Sequence, residues 1–476
     1  MPIPPRAQGK AYVRSEISTP TRKYSIPIQQ LMYAEQASGL SLLIGTVVAL
    51  IWVNSPWAHV YHQLWGTVLT IDLNVLQISL DAHHWVNKGL MVLFFFLMGL
   101  EIKRELVHGQ LSIWRQAALP AIAAVGGMIL PTLIYLAFTW NSEGATAWGI
   151  PIATDIAFAL GLLALLGSRI PRELKIFLLA FAVADDIGGV LVIALFYTRE
   201  LSLWAIGAAL VLIVFWLGLR RFEIQNRGIY VLIAILLWLA VLKSGIHPTI
   251  VGVIIGLLTP AHRYYRYEEF TYYAGRLVEE ARGAIQQGEH ERTSMLLGQL
   301  EELTRYTEES VERLERLIRP WVSYCVLPIF ALANAGIVLS IEGVEAALGS
   351  PLALGILVAL IVGKPMGILG GSWLAVRLKL AVLPPQVSWS HITGVALLGG
   401  MGFTVALFIT SLAVEAVSLV SEARVGIFIA SITAGLLGYF FLLLYGTRPP
   451  LQEQELDDKQ KRTVWAIILS RLCARK

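Results

Sequence analysis

Charge is what this sequence has least of. Asp, Glu, Lys and Arg make up 15% of its 476 residues, where a soluble globular chain carries about 25%, and so few charges cannot cover a water-exposed surface. Neither sign is in excess. The 37 Lys and Arg stand against 33 Asp and Glu, a net charge of +4, without the concentrated basic face that grips nucleic acid, so no nucleic-acid partner is expected. Cysteine is nearly absent: Cys325 sits in an apolar run and Cys473 near the end. Two cysteines build no disulfide framework and match no CxxC spacing, so neither a structural metal nor another cofactor is expected. The first 30 residues are Pro-rich, polar and basic (Arg6, Lys10, Arg14, Arg22, Lys23). They lack the apolar core of a cleaved signal peptide, and the N-terminus is expected to be kept.

What the chain has in plenty is apolar length. Hydrophobic residues make up 56% of it, and the mean hydropathy is +0.66. Stretches near the roughly 20 residues that span a bilayer fall at 38 to 54, 85 to 100, 116 to 139, 147 to 168, 173 to 197 and 201 to 219. Six more fall at 228 to 244, 246 to 260, 320 to 339, 352 to 376, 391 to 414 and 425 to 446. Twelve is even, so both termini share a side. That side holds 32 of the 37 Lys and Arg, the opposite loops hold only Arg199 and Arg424, and Lys88, Lys243 and Lys364 lie within or at the edges of segments. The positive-inside rule then places both termini in the cytoplasm. The expectation is an all-α polytopic protein of the cytoplasmic (inner) membrane, multi-pass, with lipids as its neighbours. Its divisions are a cytoplasmic N-terminal segment (1–36), segments 1 to 8 (37–260), a charged helical cytoplasmic insertion (261–319), segments 9 to 12 (320–446) and a cytoplasmic tail (447–476).

Two stretches outside these segments have a readable pattern. From 67 to 80, Val68, Thr70 and Asp72, then Val75, Gln77 and Ser79, alternate with Leu and Ile around Asp72-Leu73-Asn74. That period of two predicts a β-hairpin on the external face. A homodimer through this hairpin is a separate expectation, which the pattern itself does not give. The stretch 261–319 has twelve Glu, nine Arg and no Lys, with Leu296, Leu300, Leu303, Leu314 and Leu317 at helical spacing. It predicts one or two cytoplasmic helices, a solvated amphipathic hairpin beside the bundle before a partner-binding coil.

Against this background a few charges stand where lipid should forbid them. A carboxylate at bilayer depth costs at least about 2.5 to 3.5 kcal/mol, so each one retained is a functional hypothesis. Asp155 lies mid-segment in GIPIATDIAFALG, Asp185 and Asp186 in LLAFAVADDIGGVLVIALFY, and Lys364 in LALGILVALIVGKPMGILGG. One Lys cannot match three acids, so a structural ion pair does not account for the set. Adjacent aspartates on one helix point about 100° apart, so one can be paired while the other binds. A small hard cation wants oxygen ligands, which the carboxylates, the Thr154 hydroxyl and freed carbonyls supply. Proton and cation would compete for the same oxygens. Gly149 and Pro151 precede Thr154-Asp155, and Gly399, Gly400 and Gly402 interrupt segment 11. Paired interrupted helices in matching halves, segments 3 to 5 and 10 to 12, point to a transporter site at the midplane with freed backbone groups lining it.

Enzymatic readings fare badly, and the chain is expected not to be an enzyme. An intramembrane aspartyl protease needs its two aspartates on facing helices, whereas Asp185 and Asp186 are neighbours and no GxGD is present. A P-loop fails because Gly363-Lys364 is followed by Pro365, with Val358 where the loop needs Gly. A cation channel or a proton-coupled symporter with a midplane aspartate site remains the alternative to an exchanger on these residues alone.

Seven motifs carry a family resemblance. GLEIKREL (99 to 106), ATDIAFALG (153 to 161), VADDIGG (183 to 189), LKSGIHPT (242 to 249), LANAG (332 to 336), GKPMGI (363 to 368) and GMGFTVALFI (400 to 409) resemble, in order, the NhaA family of bacterial sodium/proton antiporters. The likeness covers roughly 34 to 260 and 313 to 445. This family is itself a type case of inverted-topology repeats. The resemblance implies about 12 transmembrane helices in such repeats, with segments 4 and 11 broken and crossing. It implies exchange of sodium or lithium for protons by alternating access, electrogenic and pH-regulated, with no cofactor beyond the transported ions. Asp186 would be the principal ion and proton carboxylate, Asp185 its partner able to pair with Lys364, and Thr154 and Asp155 would sit at the crossing. Lys364 and Asp155 would offset opposed helix dipoles. Glu101, Lys103, Arg104, Glu105 and Glu315 match the family's pH-sensing region. His247 matches a histidine the family often carries, although a packed, hydrogen-bonded role is the plainer reading. Two departures bear on pH control: the insertion near 262 to 312, and Lys88 where many relatives have an acid.

Overall fold

The computed structural model describes residues 35–446, apart from 73–76, 199–200, 223–225, 262–266 and 339. The tail 447–476, nearly all of the N-terminal segment 1–36 and the tip of the 67–80 hairpin lie outside the described residues. What is described is mostly helical, with one two-stranded antiparallel sheet.

The first helices are α1 (Glu35–Val53) and α2 (Ala58–Gly66), which meet at 115°. The sheet follows, β1 (Val68–Asp72) pairing antiparallel with β2 (Gln77–Asp81), Thr70 opposite Ser79 and Ile71 opposite Ile78. The Thr70 and Ser79 hydroxyls hydrogen-bond across the pair at 3.0 Å, so the alternation read from 67 to 80 becomes a true hairpin. A one-turn helix (Ala82–Trp85) and a π-turn (Val86–Leu90) lead into α3 (Met91–Val107).

The bundle continues with α4 (Trp114–Thr139), α5 (Ile156–Leu165), α6 (Arg172–Phe196), α7 (Leu203–Arg221), α8 (Arg227–Leu242) and α9 (Ile250–Leu258). The charged stretch forms α10 (Tyr267–Gln286) and α11 (His290–Thr307), packed on each other through Leu277, Ala281, Ala284 and Leu296. α12 (Ser310–Asn334) runs without interruption through residue 320 into the bundle. The leucines from 296 to 317 form no single stripe, because Glu308 and Glu309 are extended and separate α11 from α12. Last come α13 (Pro351–Arg377), α14 (Trp389–Gly399), α15 (Phe403–Ala413) and α16 (Val417–Tyr445).

Among the described residues six helices, α4, α6, α7, α12, α13 and α16, are long and apolar enough to cross a membrane. Three bent pairs bring the number to nine: α1 with α2, the turns 143–152 with α5, and α14 with α15. By length and composition, six to nine spans thus pass among the described residues, against twelve apolar stretches in the sequence. The difference has local causes. α3 ends in Glu101, Lys103, Arg104 and Glu105, and α9 is only nine residues long.

Helices in lipid gain nothing from burying apolar surface against each other, so close approach of backbones does more of the holding. α4 packs along α13 and α3 along α9, each pair at glycine. A Cβ on Gly371 of α13 would stand 2.6 Å from the Ile122 carbonyl oxygen, and one on Gly256 of α9 would stand 2.7 Å from the carbonyl carbon of Gly99. No side chain fits at either contact.

Candidate functional site

Two interruptions meet in the middle of the bundle. In one, a 3₁₀ turn (Ile150–Ile152), with Pro151 at its start, gives way to extended Ala153 before α5 begins, and the chain bends by 43°. In the other, Gly400-Met401-Gly402 separates α14 from α15 with a 41° bend. The two are joined: the Asp155 N–H donates to the Met401 carbonyl at 2.6 Å, and the Thr154 hydroxyl donates to the Gly399 carbonyl at 3.1 Å. Backbone groups that a continuous helix would satisfy internally are thus satisfied across the junction.

Asp155 does two jobs with one carboxylate. Its Oδ1 caps α5 by accepting from the Phe158 N–H at 3.2 Å. Its Oδ2 accepts from the N–H (3.0 Å) and hydroxyl (2.7 Å) of Thr404, in the first turn of α15. A negative charge at the N-terminal ends of two helices is where their dipoles favour one.

Beside this junction runs α6 with Asp185, 1% exposed, and Asp186, 7% exposed. Lys364 reaches them from α13 and is fully buried. It follows a π-turn at Ala359–Gly363 and precedes Pro365, whose missing N–H loosens the helical ladder there. Its Nζ donates to Asp185 Oδ2 at 2.7 Å and also to the Ile152 carbonyl, the last of the interrupted 3₁₀ turn. A cation thus sits against a carbonyl end, as Asp155 sits against amide ends. Asp185 Oδ1 has no hydrogen-bond partner among the described residues. Asp186 makes no hydrogen bond among them either, and the charges that act on it are Asp185, Glu101, Lys364 and Asp155. Two adjacent buried carboxylates with a single Lys between them can be neutralised by a proton or by a small cation, and both cannot stay charged and bare at little cost.

A second cluster joins the end of α3 to the start of α12. Arg319 is bonded to Glu101 at 2.7 Å and to Glu315, while Arg104 is bonded to Glu315 at 2.5 Å. Glu105 turns aside to accept from the Gln110 N–H at 2.6 Å, and Lys103 makes no ion pair among the described residues. His247 is elsewhere, its Nδ1 2.7 Å from the Thr249 hydroxyl and its ring edge-on to Phe408. The structure therefore unites Thr154, Asp155, Asp185, Asp186 and Lys364. It gathers Glu101, Arg104 and Glu315 in a separate network and leaves His247 packed at a third place. The structure adds Thr404, the Ile152 carbonyl and Arg319 to these residues. Thr404 had a signal, a hydroxyl two residues beyond the glycine break, and Arg319 is the last arginine of the charged stretch.

The family model described as Na+/H+ antiporter 1 matches residues 29–442. The Na(+)/H(+) antiporter NhaA 2 of Syntrophotalea carbinolica is 44% identical over 422 residues, covering 87% of this chain and 96% of that protein. The NhaA 2 of Sorangium cellulosum is 42% identical over 414 residues (86% and 88%), and the NhaA of Rhodopirellula baltica 41% over 441 residues (91% and 97%). A match that runs through both interrupted helices, the aspartate pair and the Lys364 segment, at such identity over nearly the whole of its relatives, means that the chain belongs to the NhaA family of Na+/H+ antiporters.

Proposed function

We propose that this chain exchanges sodium or lithium for protons across the bacterial inner membrane by alternating access. The observation that carries the reading is the pair of buried carboxylates, Asp185 and Asp186, sharing one Lys364 beside two joined helix interruptions. In this reading Asp186 and the free oxygen of Asp185 receive either protons or a dehydrated cation, with Thr154 beside them. Asp155 and Lys364 hold the interrupted ends in place. The carrier reorients only when the carboxylates are neutralised, which couples the two flows. A channel has no such requirement, and the enclosed site favours the exchanger. The same reading takes in about 12 transmembrane segments in inverted repeats, with the breaks in segments 4 and 11 crossing, and both termini in the cytoplasm. It includes the division at 37–260, 261–319 and 320–446, pH control through Glu101, Lys103, Arg104, Glu105 and Glu315, and a homodimer through the 67–80 hairpin among lipids.

Sealed vesicles holding the purified protein and a pH dye test the function. Sodium added outside an acid-loaded vesicle should alkalinise the lumen in the parent, whereas Asp186→Asn should not, because an amide neither releases a proton nor offers a full charge. Calorimetry on the same folded variant should find sodium binding lost. Unchanged sodium binding by Asp186→Asn would remove Asp186 from the site.

A further inference from the structure

Where β2 ends, three side chains with metal-ligating atoms converge. Asp81 accepts from the His84 N–H at 2.7 Å, capping the one-turn helix Ala82–Trp85, and the same Oδ1 lies 2.7 Å from His84 Nδ1. His83 points inward, its Nε2 3.1 Å from Oδ1 of Asn334 at the end of α12. One ligand atom from each of Asp81, His83 and His84 lies within 4.8 Å of the others. We propose that these three residues bind a first-row divalent cation, with zinc as the reference ion and water completing its coordination.

The donor set chooses the ion. Two imidazoles and one carboxylate suit zinc, nickel or copper, whereas sodium and magnesium want oxygens alone. The site is thus chemically distinct from the one that carries the transported ion. Asn334 supplies what a ligating imidazole needs behind it: a carbonyl oxygen that accepts one ring N–H, orients the ring and leaves the other nitrogen its lone pair. The Asn87 amide, 3.4 Å from the His83 ring nitrogens, is beyond normal hydrogen-bond length and competes weakly. Ligand atoms on a tetrahedral zinc stand about 3.3 Å apart, given bonds of about 2.0 to 2.1 Å, so side-chain adjustments of about 1 Å close the site. Half-exposed His84 leaves a path from solvent. Arg424 is the charge that opposes a cation here, which makes the site weaker than a closed structural one. A bound ion would tie the end of β2 to the turn entering α3, whose Asn87 bonds to Asn334 of α12 at 3.0 Å.

Zinc titration of the untagged full chain in detergent, followed by calorimetry, tests this without reference to transport. The parent should take up one zinc per chain and melt at a higher temperature with zinc present. His84→Ala should bind zinc at least about tenfold more weakly and lose the thermal shift. So should Asp81→Asn, which keeps a capping oxygen but loses the charge. Both variants should still exchange sodium for protons without zinc, which shows that they fold. No zinc uptake by the parent would overturn the assignment, and so would a loss smaller than tenfold in the variants, which would place the ion on other groups such as His59 and His62.

Discussion

Lys364 is the residue on which the site turns, because it is bonded at once to Asp185 and to the carbonyl that ends the interrupted 3₁₀ turn. Both contacts ask for a permanent positive charge, and neither asks for a proton to leave. Arg keeps its charge at every working pH, so Lys364→Arg should exchange at a rate within about tenfold of the parent, about 1.4 kcal/mol in barrier height. A folded but inactive Lys364→Arg would instead make Lys364 a proton carrier. The depth of these side chains in apolar sequence made Asp155, Asp185, Asp186 and Lys364 legible without a structure. The Thr404 hydroxyl beside the glycine break is visible in the sequence, but its bond to Asp155, 249 positions away, is not.

Burial of His83 makes stability depend on pH. His83, ahead of the second apolar stretch, has its pKa lowered from an ordinary 6.5 to about 4, first by burial and then by the charges of Arg424 and His84, with Asp81 and Asn334 opposing. Between those two values the unfolded chain binds the proton and the folded chain does not. Stability therefore falls as pH drops from about 6.5 to about 4 and levels off below. Thermal midpoints across this window should decline more steeply for the parent than for His83→Gln. Equal slopes would mean that His83 is not held neutral.

At the scale of elements, the α10–α11 pair packs chiefly on itself, through a small core of Leu277, Ala281, Ala284 and Leu296. The two helices pack along each other across the short connection at 287–289, so residues 268 to 306 can be replaced by a short Gly/Ser linker. The cut must spare Glu309, 2% exposed and 2.9 Å from His108, and Val311, which is fully buried with Leu100 and Ala261. Vesicle exchange should survive the deletion, with a changed pH profile or assembly; loss of exchange in a folded deletion would make the hairpin part of the transport unit. The charge pattern announced these helices, and Gly/Pro chemistry announced both interruptions. The uninterrupted passage of α12 through residue 320 was not legible, because a hydropathy boundary is not a backbone boundary.

For the whole molecule, the count of charges in the site predicts a response to voltage. If two titratable carboxylates exchange protons for one sodium ion, each turnover moves net charge, at about 2.3 kcal/mol per elementary charge per 100 mV. Potassium-clamped vesicles should therefore show exchange rates that change with the imposed potential. A rate indifferent to voltage would require one proton per sodium and would leave one of the two aspartates permanently paired.

Legible from the linear chain were its membrane setting, its anomalous charges and the Gly and Pro positions at which its helices bend. Those outcomes are local: lipid penalises a charge or an orphaned amide wherever it stands, whatever the rest of the chain does. The packed bundle was needed to show that Lys364 takes Asp185, that one Asp155 carboxylate caps two helices, and that Arg319 binds Glu101 and Glu315. These depend on how each helix is rotated and how closely it approaches its neighbour. That is set by glycine contacts such as Gly256 on Gly99 and Gly371 on Ile122, between segments far apart in sequence.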